Sequence, residues 1–175
     1  KTADSPIIKA VSLIINSVIP SKTCDIFISL FCDLVSAGFF GLKNINESLQ
    51  IIKDFCNKVD TNVSLKILQF SASVLPSLFK DHISVNFLLS ISLSMINNPA
   101  SIVSSTAFAS SQQMFSALFS LIQNTKTRVP KSVSKALNIL VPGDFDNTLT
   151  KMAYLLLRDI VSLVYERKPE WLHCK

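Results

Sequence analysis

A chain of 175 residues can bury a sizeable core without staples, and 49% hydrophobic against 17% charged residues means that much of its surface is buried or meets a partner. Three glycines argue against a sheet-and-turn protein, and a net charge of +5 without interleaved aromatic and basic residues argues against a nucleic-acid face. Cys24, Cys32, Cys56 and Cys174 form no C-x-x-C pair, and the first three fall in apolar helical stretches. They read as buried, reduced thiols of a cytosolic protein. The chain opens on Lys1 with no secretory signal and reads as a piece of something longer.

In chain order, Asp4-Ser5-Pro6 starts a helix that carries Ile7, Ile8, Val11, Ile14, Ile15 and Val18 and closes at Pro20. A second begins near Ser21 or Thr23, carries Phe27, Ile28, Phe31, Leu34 and Val35, and stops at Gly38, a C-terminal cap residue. Phe39 and Phe40, between Gly38 and Gly41, read either as a hydrophobic seal on that helix end or as a partner-binding knob. Asn44-Ile45-Asn46-Glu47 has the spacing of a capping box and opens a third helix through Leu49, Ile52, Phe55, Cys56 and Val59.

Thr61 to Lys80 is the stretch around which the rest is arranged. Leu65, Leu68, Ala72, Leu75 and Phe79 form one apolar row, with Val63, Ile67, Phe70 and Val74 beside it. The polar line of Lys66, Gln69, Ser73, Ser77 and Lys80 is too narrow for a surface helix, so this is the inner helix of a stacked array, kinked in its last turn by Pro76. Asp81 to Asn97 makes a fifth helix, and Asn98-Pro99 caps a sixth from about Ala100 to Gln123. No charged residue lies between Ile83 and Thr125, but the clean apolar run is too short to span a bilayer, so a buried helix pair is expected. In the sixth helix, Ser104, Ser105, Ala107, Ala109, Ser110 and Ser111 allow close approach, while Phe108, Met114, Phe115, Leu118, Phe119 and Ile122 fill the layer beyond.

From Asn124 to Asn147 the pattern lapses. Lys126, Arg128, Lys131 and Lys135 precede the next carboxylate, Asp144, and Val129-Pro130 and Val141-Pro142-Gly143 break the backbone around one short helix, Ser132 to Leu140. The four cations read as a solvated linker or as an aid to attachment on an anionic membrane surface. Asp144 or Asp146 then caps an amphipathic helix with Leu149, Met152, Ala153, Leu156, Ile160, Leu163 and Val164 on one face and Arg158, Ser162 and Glu166 opposite. Trp171 is its stop, packed back on the array. The domain reading is a helical-repeat core over 1–123, a basic linker over 124–147, and a closing helix or the start of a further region over 148–175.

Paired helices set the rhythm. Pro6 to Val11, Asn62 to Ile67 and Ser101 to Thr106 align as the starts of alternate helices, and the 39-residue step from Val63 to Ile102 is close to the ~40 to 47 period of HEAT and armadillo units. The fold expected is therefore all-α, a HEAT/armadillo-like right-handed stack of antiparallel helix pairs, with Thr61 to Lys80 and Ala100 to Gln123 innermost.

Chemistry-bearing constellations are absent from the sequence. His82 and His173 have no second metal ligand at helical spacing, Asp4, Asp60, Asp81 and Asp146 stand where helix caps belong, and no glycine loop suits a phosphate. The expectation is no catalysis, no cofactor, no metal and no small-molecule substrate. A rival class is an apolar-ligand carrier walled by Ile83 to Thr125.

Ser64-Leu65-Lys66-Ile67-Leu68-Gln69, Leu75-Pro76-Ser77-Leu78, and Ile102 to Ala107 running on to Leu118-Phe119 resemble the N-terminal dimerisation and cyclophilin-binding (DCB) domain of the large Arf exchange factors and their Golgi relative, the monensin-sensitivity scaffold. Ala153 to Ile160 and Lys168 to Leu172 look like the opening of the homology-upstream (HUS) region as the scaffold has it. Gln113 stands where the family has Arg and Ser120 where it has an acidic residue, and the family's first helix or helices have no counterpart here. The resemblance implies a peripheral scaffold on the late Golgi and endosomes without exchange activity, which works with a Dopey-type protein, a flippase and Arf-like GTPases and can form a homodimer. Its alternatives are the regulatory domain of an exchange factor and a generic HEAT adaptor. Partner-binding candidates are Phe39, Phe40, Tyr154, Arg158, Tyr165, Trp171, the outer face of Lys22 to Ala37 and the amphipathic helix Leu149 to Tyr165.

Overall fold

The computed structural model describes Leu13 and residues 21–38, 42–56, 59–124 and 148–172. Six helices run through them: α1 (Ser21–Ser36), α2 (Leu42–Phe55), α3 (Thr61–Leu78), α4 (His82–Ser94), α5 (Ser101–Asn124) and α6 (Thr148–Val164). No strand occurs among the described residues, so the all-α expectation holds. The first helix beyond Leu13, the short helix Ser132 to Leu140 and the caps Asp4, Asp144 and Asp146 lie outside the described residues.

Helix α3 starts where its cap says it should. Asp60 is extended, and its carboxylate accepts the Val63 N–H at 2.8 Å, satisfying a donor that the first turn leaves open. Val63, Ile67, Leu68, Phe70, Val74, Leu75 and Leu78 are buried, and the helix packs on α1, α4 and α5. Gln69, Ser73, Ser77 and Lys80 keep the narrow polar line exposed, while Lys66 reaches α1 at Ser29 Oγ (2.6 Å) and Asp33 (2.8 Å). Pro76 sits in the last turn, and the helix ends two residues later.

The contacts set α1, α3 and α5 in one row and α2 and α4 in a second, with α3 touching α4 between them. Helix α6 lies on α5 and the edge of α4. The innermost partner of α3 is α4, not the Ala100 to Gln123 helix. Eight of its thirteen residues are buried, the polar Ser84, Asn86, Ser90 and Ser92 among them, whereas α5 exposes Ile102, Ser105, Phe108, Ala109, Gln112 and Gln113. Among the described side chains of α5 only the stripe Val103, Ala107, Ser110, Ser111, Met114 and Leu118 is buried, with the Ser110 hydroxyl donating to the Leu68 carbonyl at 3.5 Å. Phe108 falls off that stripe and stands 55% exposed, so it fills no layer.

Two boundary signals meet different fates. Gly38 has φ +71 and its N–H closes on Val35 O at 3.0 Å; an added Cβ would meet nothing within 4 Å, so the left-handed backbone alone calls for glycine. The capping box at Asn44 fails because α2 already begins at Leu42. Ile45 shares its buried stripe with Leu49 and Ile52, and burying it requires its turn to be helical. Asn46 works across the fold instead, donating to Asp81 at 3.0 Å while its carbonyl accepts from Ser84 at 2.8 Å.

Asp81 caps α4 by accepting the Ile83 N–H at 3.2 Å and also accepts the Ser84 hydroxyl at 2.7 Å. Burial alone would raise this carboxyl, but the hydrogen bonds from Ser84, Asn46 and the Ile83 and Ser84 amides outweigh it and hold the group below its ordinary 3.8. A carboxyl depressed on folding stabilises the protein above its unfolded pKa and loses that contribution as pH falls through the folded one. Unfolding midpoints in urea should therefore drop as pH is taken from 5 to 3, and Asp81→Asn should flatten part of that slope; parallel curves for the two proteins would refute the assignment.

Candidate interaction surface

Helix α6 buries Met152, Ala153, Leu155, Leu156 and Asp159 on the side that meets α4 and α5. Leu163 and Val164, expected on that face, are 45% and 75% exposed, and Leu155, not assigned to it, is inside. The buried face includes Leu155 and Asp159, whose carboxylate meets its backbone partners on that side. Leu157, Val161, Val164 and Tyr165 then line the outside of the helix, an apolar row opposite an apolar row.

The carboxylate is the residue that sequence reasoning missed. Asp159 has a fully buried side chain, and its Oδ2 accepts two consecutive backbone N–H groups, from Trp171 at 2.5 Å and Leu172 at 2.7 Å. Its Oδ1 takes the Arg158 guanidinium at 3.0 Å, and Arg158 also pairs with Glu170 at 2.9 Å. From α4, Asn86 donates to the Trp171 carbonyl. Residues 165–172 thus double back as a strap over the end of α6 and α4, with Leu172 only 2% exposed and Trp171 half-buried against the core. The turn into the strap is a paired-bond helix ending: Arg167 N–H reaches Ser162 O (2.8 Å), Glu166 N–H reaches Leu163 O (3.0 Å), and Glu166 itself is left-handed at φ 55. The available signal was an aspartate in mid-helix among Leu155, Leu156, Leu157 and Ile160, where a carboxylate is out of place unless something distant captures it.

No protein-family model, curated protein or solved structure matches this chain. Its surface has to be read on its own terms. Of the partner-binding candidates, Tyr165 is 70% exposed, and Tyr154 is half-buried with an interaction of its own. Arg158 is half-buried and pairs with Asp159 and Glu170, and Trp171 packs back on the core, as expected of a stop. Phe39 and Phe40, and the membrane candidates Lys126, Arg128, Lys131 and Lys135, lie outside the described residues. The outer face of α1 presents Ile26 (69%) and Leu30 (53%), and that of α5 presents Ile102 and Phe108.

Two thiols are described. Cys32 and Cys56 are free and buried. Burial pushes Cys32 up to about 12 against the opposing pull of Lys66, and burial also raises Cys56 although Ser94 hydrogen-bonds it. Cys24 and Cys174 have side chains outside those described. Among the described residues no three of His, Cys, Asp and Glu gather as a metal site would need, and no helix is long and apolar enough to cross a membrane.

Proposed function

We propose that this chain is a non-catalytic docking and self-association platform, built as a HEAT/armadillo-like right-handed stack, of a peripheral scaffold in Golgi and endosome trafficking. The observation that carries the docking part is the α6 row of Leu157, Val161, Val164 and Tyr165, which leaves four large side chains in water at the open end of the helical array. The trafficking part rests on the resemblance of Ser64 to Gln69, Leu75 to Leu78 and Ile102 to Ala107 to the DCB domain. Its implied partners are a Dopey-type protein, an Arf-like GTPase and a flippase.

The test is affinity capture from cytosol with the parent chain and with Leu157→Ser, Val161→Ser, Val164→Ser, whose fold is checked by circular dichroism. Recovery of a Dopey-type protein or an active Arf-like GTPase by the parent, lost in the triple variant, supports the reading. Recovery of nuclear-transport or coat components points to a generic adaptor, and capture that ignores the three serines removes α6 from the platform.

A further inference from the structure

We propose that residues 165–172 are a hinged strap that closes on its own chain or on a second copy, so that two chains associate by exchanging straps. This deepens the self-association part of the proposed function and rests on it. The seat is fully built: a buried carboxylate on α6 receives two backbone N–H groups, Asn86 on α4 meets the intervening carbonyl, and Leu172 drops into the core. An empty seat forfeits two charge-assisted N–H bonds to Asp159 and the burial of Leu172, which favours filling it. Whatever fills it must bring two consecutive amide donors, a carbonyl placed for Asn86 and a leucine-sized side chain. The strap of a second copy brings all of these in the same order, which is the condition under which exchange between protomers carries little penalty.

The hinge favours the exchange. Glu166 holds φ 55, a conformation that residues with a Cβ adopt at a disadvantage and that a strap swung outward no longer needs. The hinge residues Tyr165, Glu166, Arg167 and Lys168 are all exposed, so opening disturbs no core contact of their own. Directly before the hinge lie Val161 and Val164, apolar and exposed, which two chains joined by their straps would bring together and cover.

The experiment changes only the exposed hinge. Glu166→Gly makes the closed turn comfortable and should raise the dimer dissociation constant about tenfold. Glu166→Pro forbids the left-handed backbone and removes the closing N–H, so the strap can reach only a neighbour's seat and the protein should be dimeric. Light scattering behind size exclusion gives the mass. Trp171, the single tryptophan, reports the strap by its emission, which should stay as in the parent in the proline variant because the seat is filled from the other chain. A monomeric proline variant overturns the proposal, whatever its emission. Should that variant fail to fold, equal dissociation constants for the parent and Glu166→Gly overturn it instead. Hinge-controlled dimers that capture no trafficking partner would leave the strap standing and sink the docking reading alone.

Discussion

Leu68→Ala should lower the unfolding free energy by about 2 to 5 kcal/mol, among the largest losses available to a single truncation in this chain. Leu68 is fully buried in α3, the helix that touches α1, α4 and α5 at once, and its own carbonyl accepts the Ser110 hydroxyl of α5. Removing its side chain takes apolar surface out of the core and opens a void that walls fixed on three sides cannot close, so the loss should fall towards the upper end of the range. Leu157→Ala is the control: the same chemistry at a site 54% exposed should change stability by no more than about 0.5 kcal/mol. Urea unfolding followed by circular dichroism measures both, and equal losses at the two sites would show that α3 is not the hub.

What was legible in the sequence was what is decided within a few residues. Asp60 and Asp81 cap the helices they precede because the amide each accepts lies two or three positions on, and Gly38 ends α1 because its own backbone requires it. The burial of α3 was equally readable, since an apolar girth is a property of one segment. What failed depended on partners far along the chain. Asn46 meets Asp81 35 residues on, a link that no local spacing announces, and the capping-box letters beside it fit a local motif that the helix start at Leu42 displaces. Phe108 and the outward row of α6 were misplaced for a related reason: hydrophobicity says that a side chain prefers burial, but only the arrangement of neighbouring helices says whether there is anything to bury it against. The candidate surface was accordingly half legible. The helix Leu149 to Tyr165 was among the candidate surfaces, and Tyr165 on it is exposed, but that Leu157 and Val161 form its outward row and that Asp159 is buried were not read.

Asp159→Ala should lower stability by about 3 to 5 kcal/mol. Three groups lose their acceptor together: the Trp171 and Leu172 amides and one arm of Arg158. Each amide left in a buried site without a partner costs about 1 to 3 kcal/mol, and an alanine side chain offers no oxygen to replace the missing one. Asp159→Asn keeps the shape and one acceptor oxygen but not the charge, and should lose less, about 1 to 2 kcal/mol. Arg158→Ala should lose less again, roughly 1 kcal/mol or under, because the guanidinium is partly solvated and its other partner, Glu170, is 76% exposed. That order, with Asp159→Ala worst, Asp159→Asn intermediate and the arginine change mildest, separates a carboxylate that seats the strap from one that merely pairs with its neighbour, for which the arginine change would be as harmful as the loss of the aspartate. Trp171 emission supplies the second readout: it should shift to the red in Asp159→Ala before the helices melt, since the strap loses its anchor while α1 to α5 keep theirs. A single transition, with emission and helicity lost together at the parent's midpoint, would mean that Asp159 holds nothing.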